Sequence, residues 1–145
     1  MKHIPLLLCV VLTGCTVPDK RNVAPPVGTD LKQVHSGTVS FTKSIKPIFA
    51  NKCTICHNAE TLPTRPNFET GEQALRSGVI VPGKPDLSRL ISVTQEDPYA
   101  ETAMPPVGHR LPKEEIELLE RWIAEGAIWP SGEAGQVIPA FIPKE

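Results

Sequence analysis

The sequence predicts an all-α domain of short helices joined by long loops, and three observations carry that reading. The clearest apolar periodicity, Ile116, Leu119, Trp122 and Ile123, repeats at helical spacing. No segment shows the strict alternation and β-branched enrichment of a strand. The composition, with 16 prolines and only 5% aromatics in 145 residues, argues against long periodic elements and for a loop-rich chain with extended flanks. The length suits one domain, no internal repeat is visible, and a formal net charge of −1 gives no hint of a nucleic-acid surface.

The N-terminal part stands outside that domain. Met1, Lys2 and His3 form a short positive region, and Ile4–Leu12 is an apolar stretch interrupted by Pro5. It is shorter than the ~20 apolar residues a bilayer span needs, but it suits the core of an export signal. Leu12, Thr13, Gly14 and Cys15 then resemble a bacterial lipobox, in which the cysteine is acylated and becomes the mature N-terminus. An ordinary secretory signal with a chance cysteine is the alternative, but no competing small-x-small site is present. Residues 1–14 are therefore expected to be removed, and 15–38 to form a lipidated Cys15 with a flexible tether rich in proline and glycine. His35 reads as a solvated residue at the end of that tether.

The folded domain is expected over 39–130. A first helix should cover Ile45–His57 with Pro47 in its first turn, where a missing N–H costs little. A short helix over Glu72–Ser77 should stop at Gly78. Val81–Pro85 is a turn, after which Asp86 can N-cap a helix through Val93. Gln95–Leu111 reads as a structured loop. Pro112 opens the strongest helix, with Glu114 and Glu115 complementing its dipole and Gly126 past its end. Residues 131–145 read as a mobile tail.

The chemistry of the chain is concentrated in Cys53-Thr54-Ile55-Cys56-His57, the C-x-x-C-H pattern of c-type haem attachment. On one helical turn two thiols three residues apart lie on one side and can add to the two vinyl groups of a single porphyrin. The histidine that follows is then placed to donate its imidazole to the iron. At this composition the pattern arises by chance in roughly 3 chains per thousand. It also follows an export signal, as haem attached outside the cytoplasm requires. A thioredoxin-like redox pair would need a βαβ context, and a zinc site a second pair of ligands; neither is visible. Cys9 would leave with the signal, Cys15 would carry lipid, and Cys53 and Cys56 would carry haem, so no thiol remains for a disulfide.

A sixth ligand follows by elimination. Met1 would be removed, so a His/Met site must use Met104, which precedes Pro105 and Pro106 in a stiff loop 47 residues after His57. A methionine in such a polar loop is a poor core filler. His109, or an open or water-bound position, is the alternative.

With these residues in place, the chain from Val39 to Pro130 resembles the cytochrome c domains of planctomycete-type and related bacterial proteins. The matching stretches are Ile45-Lys46-Pro47-Ile48-Phe49 before the C-x-x-C-H, then Val81-Pro82-Gly83-Lys84-Pro85-Asp86-Leu87-Ser88-Arg89-Leu90-Ile91. Met104-Pro105-Pro106 and Trp122-Ile123-Ala124-Glu125-Gly126-Ala127-Ile128-Trp129 complete the set. The resemblance implies a class I cytochrome c fold, in which three to five short helices and long loops wrap one haem. It implies Cys53 and Cys56 as thioether sites, His57 as proximal ligand and Met104 as distal ligand. It also implies that the first and last helices cross beside the haem, with Trp122 or Trp129 either packed near it or simply in the core. A carbonyl of the Leu62–Pro66 loop is expected to accept the His57 Nδ1–H and fix its tautomer.

The expected function is outer-sphere transfer of single electrons by one covalent haem c, because two axial ligands leave no open position for a substrate. The expected partners are a transient redox donor and acceptor, with the membrane reached through the lipid, no nucleic acid, and a monomeric chain. The expected place is the cell envelope facing the periplasm or the cell surface. Thr16 after the cysteine, instead of an aspartate, leans toward the outer membrane. A haem-based sensor in which a small ligand displaces Met104 is the alternative. Turnover of a substrate is not expected, since bacterial haem peroxidases of this general type carry two C-x-x-C-H motifs and this chain has one.

Overall fold

The computed structural model describes residues 37–140 of the chain. The signal segment 1–14, Cys15 and the tether up to 36, His35 included, lie outside the described residues, as do residues 141–145. Among the described residues the elements are helical and there is no strand. None of these helices is long and apolar enough to cross a membrane.

The first helical stretch, α1, begins earlier than the sequence suggests. It runs as a π-type segment Phe41–Ile45, an α-helical turn Lys46–Ile48 and a second π-type segment Phe49–Cys53. Ser40 starts it, its Oγ accepting the Lys43 N–H at 3.3 Å. Pro47 therefore sits in the middle of α1 and not in its first turn. Wider hydrogen bonds are what accommodate it: the Lys46 N–H reaches back five residues to the Phe41 carbonyl, and the Thr54 N–H to that of Phe49. The advance to residue 41 also buries Phe41, which starting at Ile45 would have left in a loop.

The next helix, α2, spans Gly71–Arg76 and is capped by Thr70, whose Oγ1 accepts the Gln73 N–H at 3.3 Å. It ends just before Gly78, as the sequence implies. Asp86 does not cap a helix. It lies inside a 3₁₀ turn, Pro85–Leu87, and Ser88 takes the N-cap position of α3, Arg89–Gln95. The buried Ser88 hydroxyl is used in the turn: it accepts the Val81 N–H at 2.9 Å and donates to the Lys84 carbonyl at 2.9 Å. Gly83, with φ +78°, adopts the left-handed conformation that lets its N–H reach the Ile123 carbonyl at 2.7 Å, which ties this turn to the last long helix.

That helix, α4, runs Lys113–Ala124 behind Pro112. Its buried face is Glu115, Leu118, Leu119, Trp122 and Ile123. The expected stripe is therefore right in Leu119, Trp122 and Ile123, while Ile116 is only half-buried and packs at the edge. Glu115 lies in the first turn, as its place in the sequence implies, and is fully buried. Trp122 lies between Phe41 (6.0 Å between ring centroids) and Phe49 (5.9 Å, edge-on), so α1 and α4 meet through aromatic side chains. Trp129 closes the cluster at 4.4 Å from Phe41 and 5.0 Å from Phe49.

Residues 131–140 are not a mobile tail, and the domain extends past Pro130. A final turn, α5, spans Gly132–Gly135. The Trp129 indole N–H donates to the Gly135 carbonyl at 2.6 Å, and Lys46 Nζ donates to the carbonyls of Glu133 and Ala134. Val137 is 1% exposed and its N–H reaches the Glu69 carbonyl at 2.8 Å, while the Ala140 N–H reaches Ala50 at 3.0 Å. Trp129 explains this docking. Its ring lies so close to Gly71 that a Cβ there would stand 2.6 Å from Cγ, so glycine at α2 lets the indole settle and gives the segment after it a surface.

Candidate haem site

The C-x-x-C-H motif occupies the turn that ends α1. The Cys56 and His57 N–H groups both donate to the Cys53 carbonyl, at 3.2 and 2.8 Å, which winds the five residues into one tight turn. Thr54 helps to set it: fully buried, it donates from Oγ1 to the Phe49 carbonyl at 3.0 Å. The two thiols differ. Cys53 is buried and Cys56 is exposed. Burial pushes the Cys53 thiol up to about 12, helped by the negative charge of Glu115, so it is held uncharged. Lys52 beside it is shifted down by burial, against the pull of Glu115.

His57 is half-buried. Its Nδ1 lies 2.9 Å from the Pro66 carbonyl. A carbonyl can only accept, so Nδ1 carries the proton and Nε2 is the lone-pair nitrogen. The loop that supplies this carbonyl is itself secured. Asn58 donates from Nδ2 to the Thr54 carbonyl at 2.8 Å and accepts the N–H groups of Glu60 and Thr61 at 2.9 and 2.7 Å. Glu69 accepts the Ala59 N–H, and the Phe68 N–H returns to the His57 carbonyl at 3.1 Å. Phe68 also lies edge-on to the imidazole, with centroids 5.4 Å apart, and 5.1 Å from Phe49. The imidazole thus stands at the margin of the aromatic core, with Phe49 and Phe68 between it and the tryptophans.

Met104 lies on a separate loop, between α3 and α4, and is anchored to α3 and not to the C-x-x-C-H turn. Its N–H donates to the Val93 carbonyl at 2.9 Å. Its carbonyl accepts from the Arg110 guanidinium at 3.2 Å. Its side chain is 39% exposed. His109, the alternative ligand, is also exposed, but its N–H bonds only within the same loop, to the Pro106 carbonyl at 3.0 Å.

The donor set fits a covalently held haem. Two thiols lie on one turn, an imidazole presents Nε2, and a thioether stands on a fixed backbone. Leu62, Met104 and Val107 of these loops are exposed, as are Leu87, Tyr99, Ile128 and Ile138. Among the described residues no group of three or more His, Cys, Asp or Glu is arranged to hold a metal ion by itself. Trp122 and Trp129 belong to the aromatic core described above. Comparison of the chain with protein-family models, with curated proteins and with solved structures gives no match.

Three contributors escaped the sequence reading. Asn58, next to the motif, was visible as a candidate turn-former. Arg110 and Glu115 carried no signal, because a charged side chain in a polar stretch does not announce its own burial.

Proposed function

We propose that the protein is a lipid-anchored mono-haem cytochrome c of class I type that carries single electrons in the bacterial cell envelope. Cys53 and Cys56 would hold one haem c by thioether bonds, and His57 and Met104 would supply the nitrogen and sulfur ligands of its iron. The single observation that carries this reading is the orientation of His57 within the C-x-x-C-H turn. Pinning Nδ1 to the Pro66 carbonyl aims one defined nitrogen away from the loop and raises its basicity as a ligand.

A haem bound here supplies a one-electron iron couple whose potential its axial ligands and burial set. The chain does the rest. The turn after α1 carries both thiols, the loop 58–68 holds the imidazole, and the Arg110-anchored loop carries the thioether. Ligation by both His57 and Met104 would leave the iron no open position for a substrate, which favours a carrier over an enzyme. Cys15 keeps the domain near membrane partners and raises their effective concentration.

The test is a spectroelectrochemical titration of the purified holoprotein, repeated under carbon monoxide. A reversible one-electron transition with no carbon monoxide adduct in the reduced protein is expected of a carrier. Ready displacement of Met104 by carbon monoxide, without unfolding, would replace this reading by a haem-based sensor.

A further inference from the structure

Taking the proposed His57/Met104 ligation as its basis, the geometry points to Arg110 as the positioning residue that keeps Met104 on the iron. Arg110 is only 6% exposed, a rare situation for an arginine, and among the described residues its guanidinium meets backbone carbonyls instead of a carboxylate. Nη1 donates to Val93 (3.5 Å), Met104 (3.2 Å) and Pro105 (3.4 Å). Nη2 donates to Thr94 (2.6 Å) and Glu96 (2.8 Å).

These five carbonyls come from two places. Val93, Thr94 and Glu96 belong to the C-terminal end of α3, where helix carbonyls have no intrahelical donor and the dipole favours a cation. Met104 and Pro105 belong to the candidate ligand loop. One planar fork therefore caps a helix and clamps the loop to it. Met104 is gripped on both sides of its Cα, by its own N–H on Val93 and by Arg110 on its carbonyl. The thioether has no charge with which to hold iron, so the fraction of time it is bound depends on how firmly its backbone is fixed. Charge-assisted bonds to a buried guanidinium are among the stronger ways to fix it.

The test uses the holoprotein and exogenous imidazole, which binds the oxidised iron only when Met104 has left. Arg110→Met keeps length and removes every donor; Arg110→Lys keeps a cation with fewer, unforked donors. Arg110→Met is expected to bind imidazole tenfold or more tightly than the wild type, to weaken the Met–iron band of the oxidised spectrum and to speed exchange of the Met104 amide. Arg110→Lys should fall between the two, and decides the matter alone if Arg110→Met does not fold. Val137→Ala, a destabilising change remote from the loop, should leave imidazole affinity unchanged. Wild-type affinity in the arginine variants, or equal tightening in Val137→Ala, would overturn the assignment. A wild type without the Met–iron band would instead remove the ligation beneath it, a separate and recognisable failure.

Discussion

His57 is fixed against the aromatic core, whereas Met104 is fixed by the end of one short helix and by an arginine of its own loop. On the His57 side, the Cys53 carbonyl, the Asn58 side chain and the Pro66 carbonyl all act locally, and the aromatic core of α1 and α4 stands directly behind them. On the Met104 side, α3 supplies Val93 and a buried arginine supplies the clamp, with the methionine half in water. Bonds of short sequence range fix both sides, so the difference lies in what stands behind them, a packed aromatic core on one and a single guanidinium on the other. Under the proposed ligation Met104 is the part that should respond first to mutation, heat or competing ligands.

The largest effect is expected at the C-x-x-C-H turn. Replacing Cys53 and Cys56 together by alanine should abolish covalent attachment, so that haem staining of the denatured chain falls to background. Retained stain would remove the assigned role from this turn. Next in size is the core behind it. Trp122→Ala empties a site that touches Phe41 and Phe49, and should cost about 3–5 kcal/mol in denaturant unfolding. A loss below about 1 kcal/mol would mean that α1 and α4 do not depend on each other. Ending the chain after Pro130 should cost about 2–4 kcal/mol, since it exposes Val137 and removes the bonds of Trp129 and Ala50 to the final segment. An unchanged midpoint would return residues 131–140 to the status of a tail.

The smallest expected effect concerns Lys52. Burial lowers its pKa in the folded chain from 10.5, so between the lowered value and 10.5 the unfolded chain binds the additional proton. Stability from this group rises with pH across that window and is at its constant minimum below it. Lys52→Met should flatten the rise, whose slope for one group cannot exceed about 1.4 kcal/mol per pH unit. Stability curves of the two proteins that stay parallel from neutral pH to pH 10.5 would show that the buried lysine is not linked to folding.

Much of this architecture is legible in the sequence where one local rule suffices. Gly78 marks the end of α2, Pro112 opens α4, and Leu119, Trp122 and Ile123 face inward as their spacing implies. The C-x-x-C-H turn and the carbonyl partner of His57 belong to the same class. The departures share one physical origin, tertiary contacts overruling local preference. α1 starts at Phe41 because that ring packs on Trp122 and Trp129, with π-type hydrogen bonding accommodating Pro47. Ser88, not Asp86, stands at the N-cap position of α3, and its hydroxyl is used in the preceding turn by Val81 and Lys84. The segment after Pro130 docks because Gly71 leaves room for Trp129. Arg110 and Glu115 are charged residues whose burial depends on partners that no neighbouring residue announces.

The measurement that bears most directly on the central claim is the visible spectrum of the chain from residue 16 onward, exported behind a secretory signal in a host with cytochrome c maturation machinery. Haem that survives denaturation, a c-type reduced spectrum and a Met–iron band in the oxidised form are the expected result. A chain that carries no covalent haem, alongside a control cytochrome matured in the same cells, would contradict it.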